Sequence, residues 1–282
     1  MYDFWKEYKD CPILKRINII SMISSFCYRY TSDYKFEGES HDFFEFVCVL
    51  DGNVSIAIDE NIFELHKGQI IFINPLEFHN LCSANNTDPK VLIMSFKLSG
   101  DFKFDKRIAT ISDKILNELL DVFSYGRQLF NFNGICVESV KEGKELETQI
   151  FTNRLEILLI EIIKEDPVKE IQLHTRSAVN YSKIIKILKA NMNRSLTIKD
   201  IAKLANMSES NVKKIFSMYT NQGIMAYFNE LKIIEAQRLL KEGLSVYEVS
   251  KALGFAEQNY FSNVFKKATG YSPKNWLKNM QE

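Results

Sequence analysis

Two segments near the end of the chain repeat one another. TIKDIAKLANMSESNVKKIFS (197–217) and SVYEVSKALGFAEQNYFSNVFKK (245–267) carry the same signals in the same order. Each opens with a hydroxyl followed three residues later by an acid, Thr197 with Asp200 and Ser245 with Glu248. That is a capping box, in which the hydroxyl accepts an orphan N–H at the helix start and the carboxylate reaches back to the cap's own N–H. A short helix follows, ending at Asn206 or Gly254, residue types that tolerate the left-handed backbone of a sharp turn. Met207 or Phe255 comes next, and then a second helix with Phe216 or Phe265 on its inner side. Short helix, tight turn and second helix make a helix-turn-helix. Such a unit lays its second helix in the major groove while the first crosses the backbone. Between the two units, Gly223 to Lys241 reads as one long helix, apolar at Tyr227, Phe228, Leu231, Ile234 and Leu239. At about 1.5 Å per residue, it is long enough to hold two reading heads about 34 Å apart, one turn of B-DNA.

Charge divides the chain in the same way. Of the 282 residues, 176–282 hold 17 Lys+Arg against 8 Asp+Glu, and 1–175 hold 19 against 28. The neutral total thus hides a basic part, suited to a polyanion, joined to an acidic one. All five cysteines, Cys11, Cys27, Cys48, Cys82 and Cys136, lie in the acidic part, without a C-x-x-C pair. An odd count in that spacing suggests neither a disulfide framework nor a zinc knuckle and reads as buried thiols of a reducing compartment. The first residues, MYDFWKEYKD, lack the apolar run of a signal peptide, and Leu155 to Ile163 is broken by Glu161 and too short to span a bilayer. The expectation is a cytoplasmic protein that does not enter a membrane.

Residues 17–98 read as short strands, with FEFVCVLDG (44–52), VSIAIDE (54–60), QIIFINP (69–75) and KVLIMSFKL (90–98) separated by Asp51-Gly52, Lys67-Gly68, Asn74-Pro75 and Asn85-Asn86. That spacing predicts an antiparallel sandwich or small barrel. Two amphipathic helices are expected over 111–130 and 143–165, the latter apolar at Leu146, Ile150, Leu155, Leu158, Leu159, Ile162 and Ile163. The second either packs on the barrel or forms a dimer seam. DPVKEIQLHTRSA (166–178) is polar and unpatterned, and its Asp166-Pro167 step disfavours helix. The fold class is therefore α+β in two domains: an antiparallel barrel with flanking helices over 1–165, a linker over 166–177, and an all-α domain over 178–282 in which a long helix joins two helix-turn-helix motifs.

The stretch KALGFAEQNYFSNVFKKATGYSPKNW (251–276) resembles the signature of the AraC/XylS family of transcription regulators through Gly254, Phe255, Tyr260, Phe261, Phe265, Lys266, Gly270 and Pro273. The resemblance covers about 100 residues and implies sequence-specific binding of double-stranded promoter DNA, with RNA polymerase as a further partner. Phe255, Phe261 and Phe265 are core, and Pro273 opens the last helix. The family's DNA-facing positions fall on Ser208, Ser210, Asn211, Lys213 and Lys214 in the first recognition helix, and on Gln258, Asn259, Ser262, Asn263 and Lys266 in the second. Their chemistry agrees: Asn and Gln pair with adenine, Lys with guanine or phosphate, Ser with either. The chain departs from the family at Ala256, where a Ser cap is usual and whose absence costs about 1 kcal/mol, offset in part by Glu257 at the positive helix end. It departs again at Asn221, where the usual Gly appears two residues later as Gly223.

The strand region resembles the cupin-type sensing barrel that usually accompanies this domain, through HDFFEFVCVLDG (41–52), Gly68 and NPLEFHNL (74–81). Cupin enzymes hold a divalent metal with H-x-H-x-x-x-E and a later His. Here the set reads Glu39, His41, Glu45 and His79. The expectation is a non-enzymatic sensor without metal or cofactor, in which His41, Glu45 and His79 are a structural or effector-binding remnant. Candidate effector contacts are Tyr28, Tyr30, His41, Glu45, His79 and Phe96, barrel mouths being common ligand sites. By family resemblance the effector is a small molecule, sugars being frequent, and the protein a homodimer through the 143–165 helix. Two rival readings are an N-terminal domain that only dimerises or binds proteins, and a metal-dependent cupin enzyme fused to a DNA-binding domain.

Overall fold

The structure is a computed structural model, described over residues 10–100, 102–105, 107–165, 175–220 and 222–279. The first part runs β1 (Ile19–Arg29), β2 (Phe44–Asp51), β3 (Asn53–Ile58), β4 (Asn61–His66), β5 (Gln69–Ile73), β6 (His79–Ser83), β7 (Lys90–Leu98), β8 (Ile108–Thr110), α1 (Asp113–Leu129), β9 (Phe130–Asn133), β10 (Cys136–Val140) and α2 (Glu145–Lys164). The strands form a seven-stranded antiparallel sheet, ordered β8-β5-β2-β7-β1-β10-β9, and a three-stranded one, β4-β3-β6. The chain between β1 and β2 extends the small sheet, because Lys35 and Glu39 bridge to Cys82 and His79 of β6.

The centre of the large sheet, β2, β5 and β7, is buried on both faces, so these strands read as nearly continuous apolar runs instead of alternating. On one face, Phe44, Phe46 and Cys48 of β2 and Leu92, Met94, Phe96 and Leu98 of β7 pack with Leu119 and Val122 of α1 and Leu155 and Leu159 of α2. On the other, Val47, Val49, Val91 and Ile93 meet Val54, Ile56, Phe63 and Leu65 of the small sheet. The strict period of two then places Glu45, between Phe44 and Phe46, and Ser95, between Met94 and Phe96, on the inner face.

The hairpin β9–β10 lies where the sequence reading ran from one helix to the next. It joins the large sheet through Ser24↔Cys136. Most of β10 is exposed and so carries no apolar pattern, but Asn133-Gly134, with Gly134 at φ 60°, is a recognised hairpin signal.

The second part is helical: α3 (Arg176–Ala190), α4 (Ile198–Ala205), α5 (Glu209–Tyr219), α6 (Ile224–Lys241), α7 (Val246–Ala252), α8 (Gln258–Thr269) and α9 (Pro273–Asn279). Most of the proposed linker, 166–174, lies outside the described residues. Thr175 caps α3, its hydroxyl accepting from Ala178 N at 3.2 Å. Both capping boxes are formed: Asp200 Oδ2 accepts from Thr197 N at 2.9 Å, and Glu248 Oε2 from Ser245 N at 2.8 Å. Asn206 (φ 56°) and Gly254 (φ 63°) hold the left-handed turns.

The long helix α6 differs from its expected single apolar face. Its first half (Ile224, Tyr227, Phe228, Leu231) completes the core of α3, α4 and α5, and its second half (Ile233, Ala236, Leu240) completes that of α7, α8 and α9. Ile234 and Leu239 are only partly buried. A helix serving two cores on different sides must turn its stripe midway. The cap of α8 is also shifted. It falls on Glu257, not Ala256, and no side chain accepts a bond there.

The two parts are in contact. Ala57, Ile62 and Phe78 of the first part join the first helical core, and Phe78 meets Tyr227 edge-on at 4.6 Å. Lys189 of α3 pairs with Asp59 at 3.1 Å and Glu60 at 2.7 Å.

Candidate functional site

The second helix of each helix-turn-helix is polar outside and apolar inside. On α5, Val212, Ile215 and Phe216 are buried, and Ser208, Ser210, Asn211, Lys213 and Lys214 are all exposed. Ser208 doubles as the cap, accepting from Asn211 N at 3.3 Å. On α8, Phe261 and Phe265 are buried, Gln258, Asn259, Asn263 and Lys266 are exposed, and Ser262 is half-buried. The acids nearest these faces, Glu209 and Glu257, sit at the helix starts. What remains on offer is amide, hydroxyl and ammonium, the donors that base edges and phosphates accept.

Behind these helices lies a joint that the sequence reading missed. Lys232 of α6 is 4% exposed. Its Nζ donates to Arg194 O at 2.9 Å, from the loop before α4, and to Leu253 O at 2.8 Å, at the end of α7. It therefore ties one helix-turn-helix to the other. A lysine inside the apolar register of a long helix, flanked by Leu231 and Ile233, was the signal.

The second site lies inside the barrel. Glu39 stands on the strand-like segment before β2, His41 in the turn that follows, Glu45 in β2 and His79 at the start of β6. Glu39 and His79 are held by reciprocal backbone bonds of 2.9 Å. Gly38 (φ 94°) lies so close to Phe78 that a Cβ there would stand 2.3 Å from the ring. His79 Nε2 is 3.4 Å from Glu45 Oε1, and His41 Nε2 is 3.9 Å from Glu45 Oε2. The other side of Glu45 is a hydroxyl row that the sequence reading did not include. Ser95 Oγ donates to Glu45 Oε2 at 2.7 Å, and Ser24 Oγ lies 2.8 Å beyond. A lone Ser in the apolar run KVLIMSFKL was the only hint of it.

Burial, with His79 alongside, pulls His41 down to about 4, so this ring is neutral at pH 7. Burial also draws His79 down, but the Glu45 carboxylate outweighs it and raises the imidazole above its ordinary range. Burial raises Glu39. Tyr30 is raised by burial and by Tyr34, on which it stacks at 3.9 Å.

Of the expected effector contacts, the structure brings together His41, Glu45 and His79, with Tyr30 close enough to feel the Glu45 charge. Tyr28 is 58% exposed. Phe96 points to the helix side of the sheet, against Phe44 and Phe46. It pairs with Phe44 across β2–β7 while Ser95 pairs with Glu45, and neighbouring residues of a strand face opposite ways. A cleft of about 960 Å³ opens where the barrel meets the helices, lined by Ser40, His41 and Lys97 on one side and by Glu230, Asn263 and Lys267 on the other.

A two-sheet antiparallel domain with a buried polar cluster in an otherwise apolar interior, joined to two linked helix-turn-helix units with basic, amide-rich outer faces, defines a two-domain DNA-binding regulator with a ligand-binding domain. Residues 23–100 match the AraC-like ligand binding domain, and residues 201–279 a helix-turn-helix domain. The chain belongs to the AraC family of transcription regulators. It is 26% identical over 260 residues to the Msm operon regulatory protein of Streptococcus mutans, covering 88% of each chain. It is 24% identical over 255 residues to the transcriptional activator RhaR of Escherichia coli, covering 88% of this chain and 89% of that one. The solved structure of ToxT from Vibrio cholerae aligns over 91% of this chain and 98% of its own, with 16% identity and a TM-score of 0.37. Among the described residues, no helix is long and apolar enough to cross a membrane.

Proposed function

We propose that this regulator reads two successive major grooves of promoter DNA with α5 and α8, and that a polar small molecule biases how the helical domain is held against the barrel. The observation that carries the reading is the cleft. Its walls are His41 and Lys97 from the barrel and Asn263 and Lys267 from the second recognition helix. A molecule bound there touches both domains, so its affinity differs between arrangements, which is the condition for shifting a population. Asn263 belongs both to the cleft and to the expected DNA face. Sugars suit a site of hydroxyl, carboxylate and ammonium groups. The same reading makes the protein a non-enzymatic cytoplasmic regulator acting with RNA polymerase. The five cysteines, all unpaired, suit a reducing compartment, although only Cys48 is buried as expected and Cys11 and Cys136 are exposed.

Fluorescence anisotropy on operators selected from a random library tests the DNA contacts. Asn263→Ala is expected to weaken specific binding by about 10- to 100-fold, the worth of a bidentate base contact. Lys214→Ala is expected to weaken it across all sequences and to lower the salt slope by about one. Unchanged affinity in both variants would reject these assignments.

The same reading includes a homodimer through α2. One face of this helix (Phe151, Leu155, Leu158, Leu159, Ile162) packs on the barrel. Its other face leaves Leu146, Ile150, Ile157 and Ile160 exposed, at helical spacing in a single stripe. Ile150→Glu with Ile157→Glu is expected to give a folded monomer by light scattering. A dimer that survives both charges places the interface elsewhere.

A further inference from the structure

The Glu39, His41, Glu45 and His79 cluster has a ligand requirement that the chain itself does not meet. Nδ1 of His41 lies 3.0 Å from Phe43 O, and Nδ1 of His79 lies 3.2 Å from Glu77 O. A carbonyl only accepts, so each Nδ1 is assigned a proton; the neutral His41 is left with a lone pair on Nε2, and so is His79 whenever its ring is neutral. Both Nε2 atoms are buried and without a hydrogen-bond partner. They face a carboxylate, Glu45, which also only accepts, and whose orientation is set by Ser95. A second carboxylate, Glu39 Oε1, lies 3.9 Å from His79 Nε2. Two lone pairs and two carboxylates thus converge with no donor among them. A proton between His79 and Glu45 would answer one lone pair but leave His41 Nε2 unmet.

We propose that these four residues hold one divalent transition-metal ion, with His41 Nε2, His79 Nε2 and Glu45 as inner ligands and Glu39, on the more exposed side, as the exchangeable fourth. The spacing fits. Four ligands at about 2.1 Å around a tetrahedral centre stand about 3.4 Å apart. The donor pairs here lie at 3.4, 3.9 and 3.9 Å, and one atom from each of the four residues falls within 4.8 Å of all the others. The outer contacts fit as well, since metal-binding imidazoles commonly donate their second N–H to a carbonyl and ligating carboxylates are hydrogen-bonded in turn. Two imidazoles with carboxylates suit Zn2+, Mn2+, Fe2+, Co2+ or Ni2+ over the oxygen-only shells of Mg2+ and Ca2+. Because His41 also lines the cleft, an ion held by it lies next to the cleft, on its barrel side. The sequence reading gave His41, Glu45 and His79, but not Glu39, to an effector and expected no metal. The site requires only the barrel geometry, and DNA reading by α5 and α8 stands apart from it.

The test uses the untagged full chain, stripped with chelator, dialysed and titrated with Co2+ and Zn2+ by calorimetry and visible absorption. The expected result is one ion per chain, cobalt bands in the visible, and a thermal midpoint raised by several degrees. Glu39→Gln is expected to weaken binding about 10-fold or more with the fold intact, and His41→Ala and His79→Ala to abolish the cobalt bands. Circular dichroism and operator anisotropy on the same samples confirm that each variant is folded and separate loss of the ion from loss of DNA reading. No cobalt bands in the wild type, or the same titration in Glu39→Gln and His41→Ala, overturns the site.

Discussion

Gly254→Ala is expected to cost about 3–5 kcal/mol, at the severe end for a single substitution, and to remove binding to two-groove operators. Gly254 holds φ 63°, and a Cβ there would lie 2.4 Å from Asn193 O and 2.5 Å from both Asn193 C and Arg194 Cα. All three are backbone atoms, so no rotamer change relieves the overlap. The left-handed conformation alone costs an alanine about 1–2 kcal/mol, and the remainder comes from prising the α7 turn away from the loop before α4. In calorimetry the helical transition should fall by about 10 °C or more, with the barrel transition unmoved. Asn206 occupies the equivalent turn of the first repeat at φ 56°. Asn206→Gly should therefore stay within about 0.5 kcal/mol. If Gly254→Ala is equally mild, the two helix-turn-helix units are not clamped at this point.

Lys232→Met is expected to destabilise the helical domain by about 2 kcal/mol at pH 7, because it leaves Arg194 O and Leu253 O without their donor in a buried place. Its pH dependence is the sharper reading. Burial pulls the Lys232 ammonium down to about 8, whereas an unfolded chain keeps a lysine near 10.4. Below pH 8 both states hold the proton and this group adds no slope. Between pH 8 and about 10 the unfolded chain binds the proton and the folded one does not, so stability rises with pH, by at most about 1.4 kcal/mol per unit. The neutral amine keeps two N–H groups for the two carbonyls, while the rings of Phe228 and Phe255, 4.8 and 5.1 Å from Nζ, favour the charged form and oppose the effect of burial in part. Urea unfolding at pH 7.5 and 9.5 should show the gap between wild type and Lys232→Met widening with pH. A constant gap would mean that Lys232 stays charged in the folded chain. Loss of two-groove binding with retained single-site binding would show that this lysine sets the spacing between α5 and α8.

Much of the helical domain was legible because its signals are local. The capping boxes at Thr197 and Ser245, the turn residues Asn206 and Gly254 and the start at Pro273 each act within a few positions of themselves. So does the division of each recognition helix into a buried aromatic side and an exposed amide and ammonium side. The strand count was legible only in part. FEFVCVLDG and KVLIMSFKL announce themselves by composition, but the β9–β10 hairpin is largely exposed, and burial is what writes a pattern into a strand.

The sequence alone determined the repeated helix-turn-helix, the polarity of its outer faces and the His41, Glu45 and His79 set. These depend on side-chain chemistry at short spacing, which the chain states directly. Tertiary structure decided what those residues meet. It turned Phe96 away from the interior and Ser95 into it, since a strand's two faces are told apart only by what packs on each. It brought Glu39 to His79 by pairing two segments about 40 residues apart, and it set Lys232 between two carbonyls from opposite ends of the domain. Contacts of that kind follow from how sheets and helices close upon each other, and no local rule of sequence contains them.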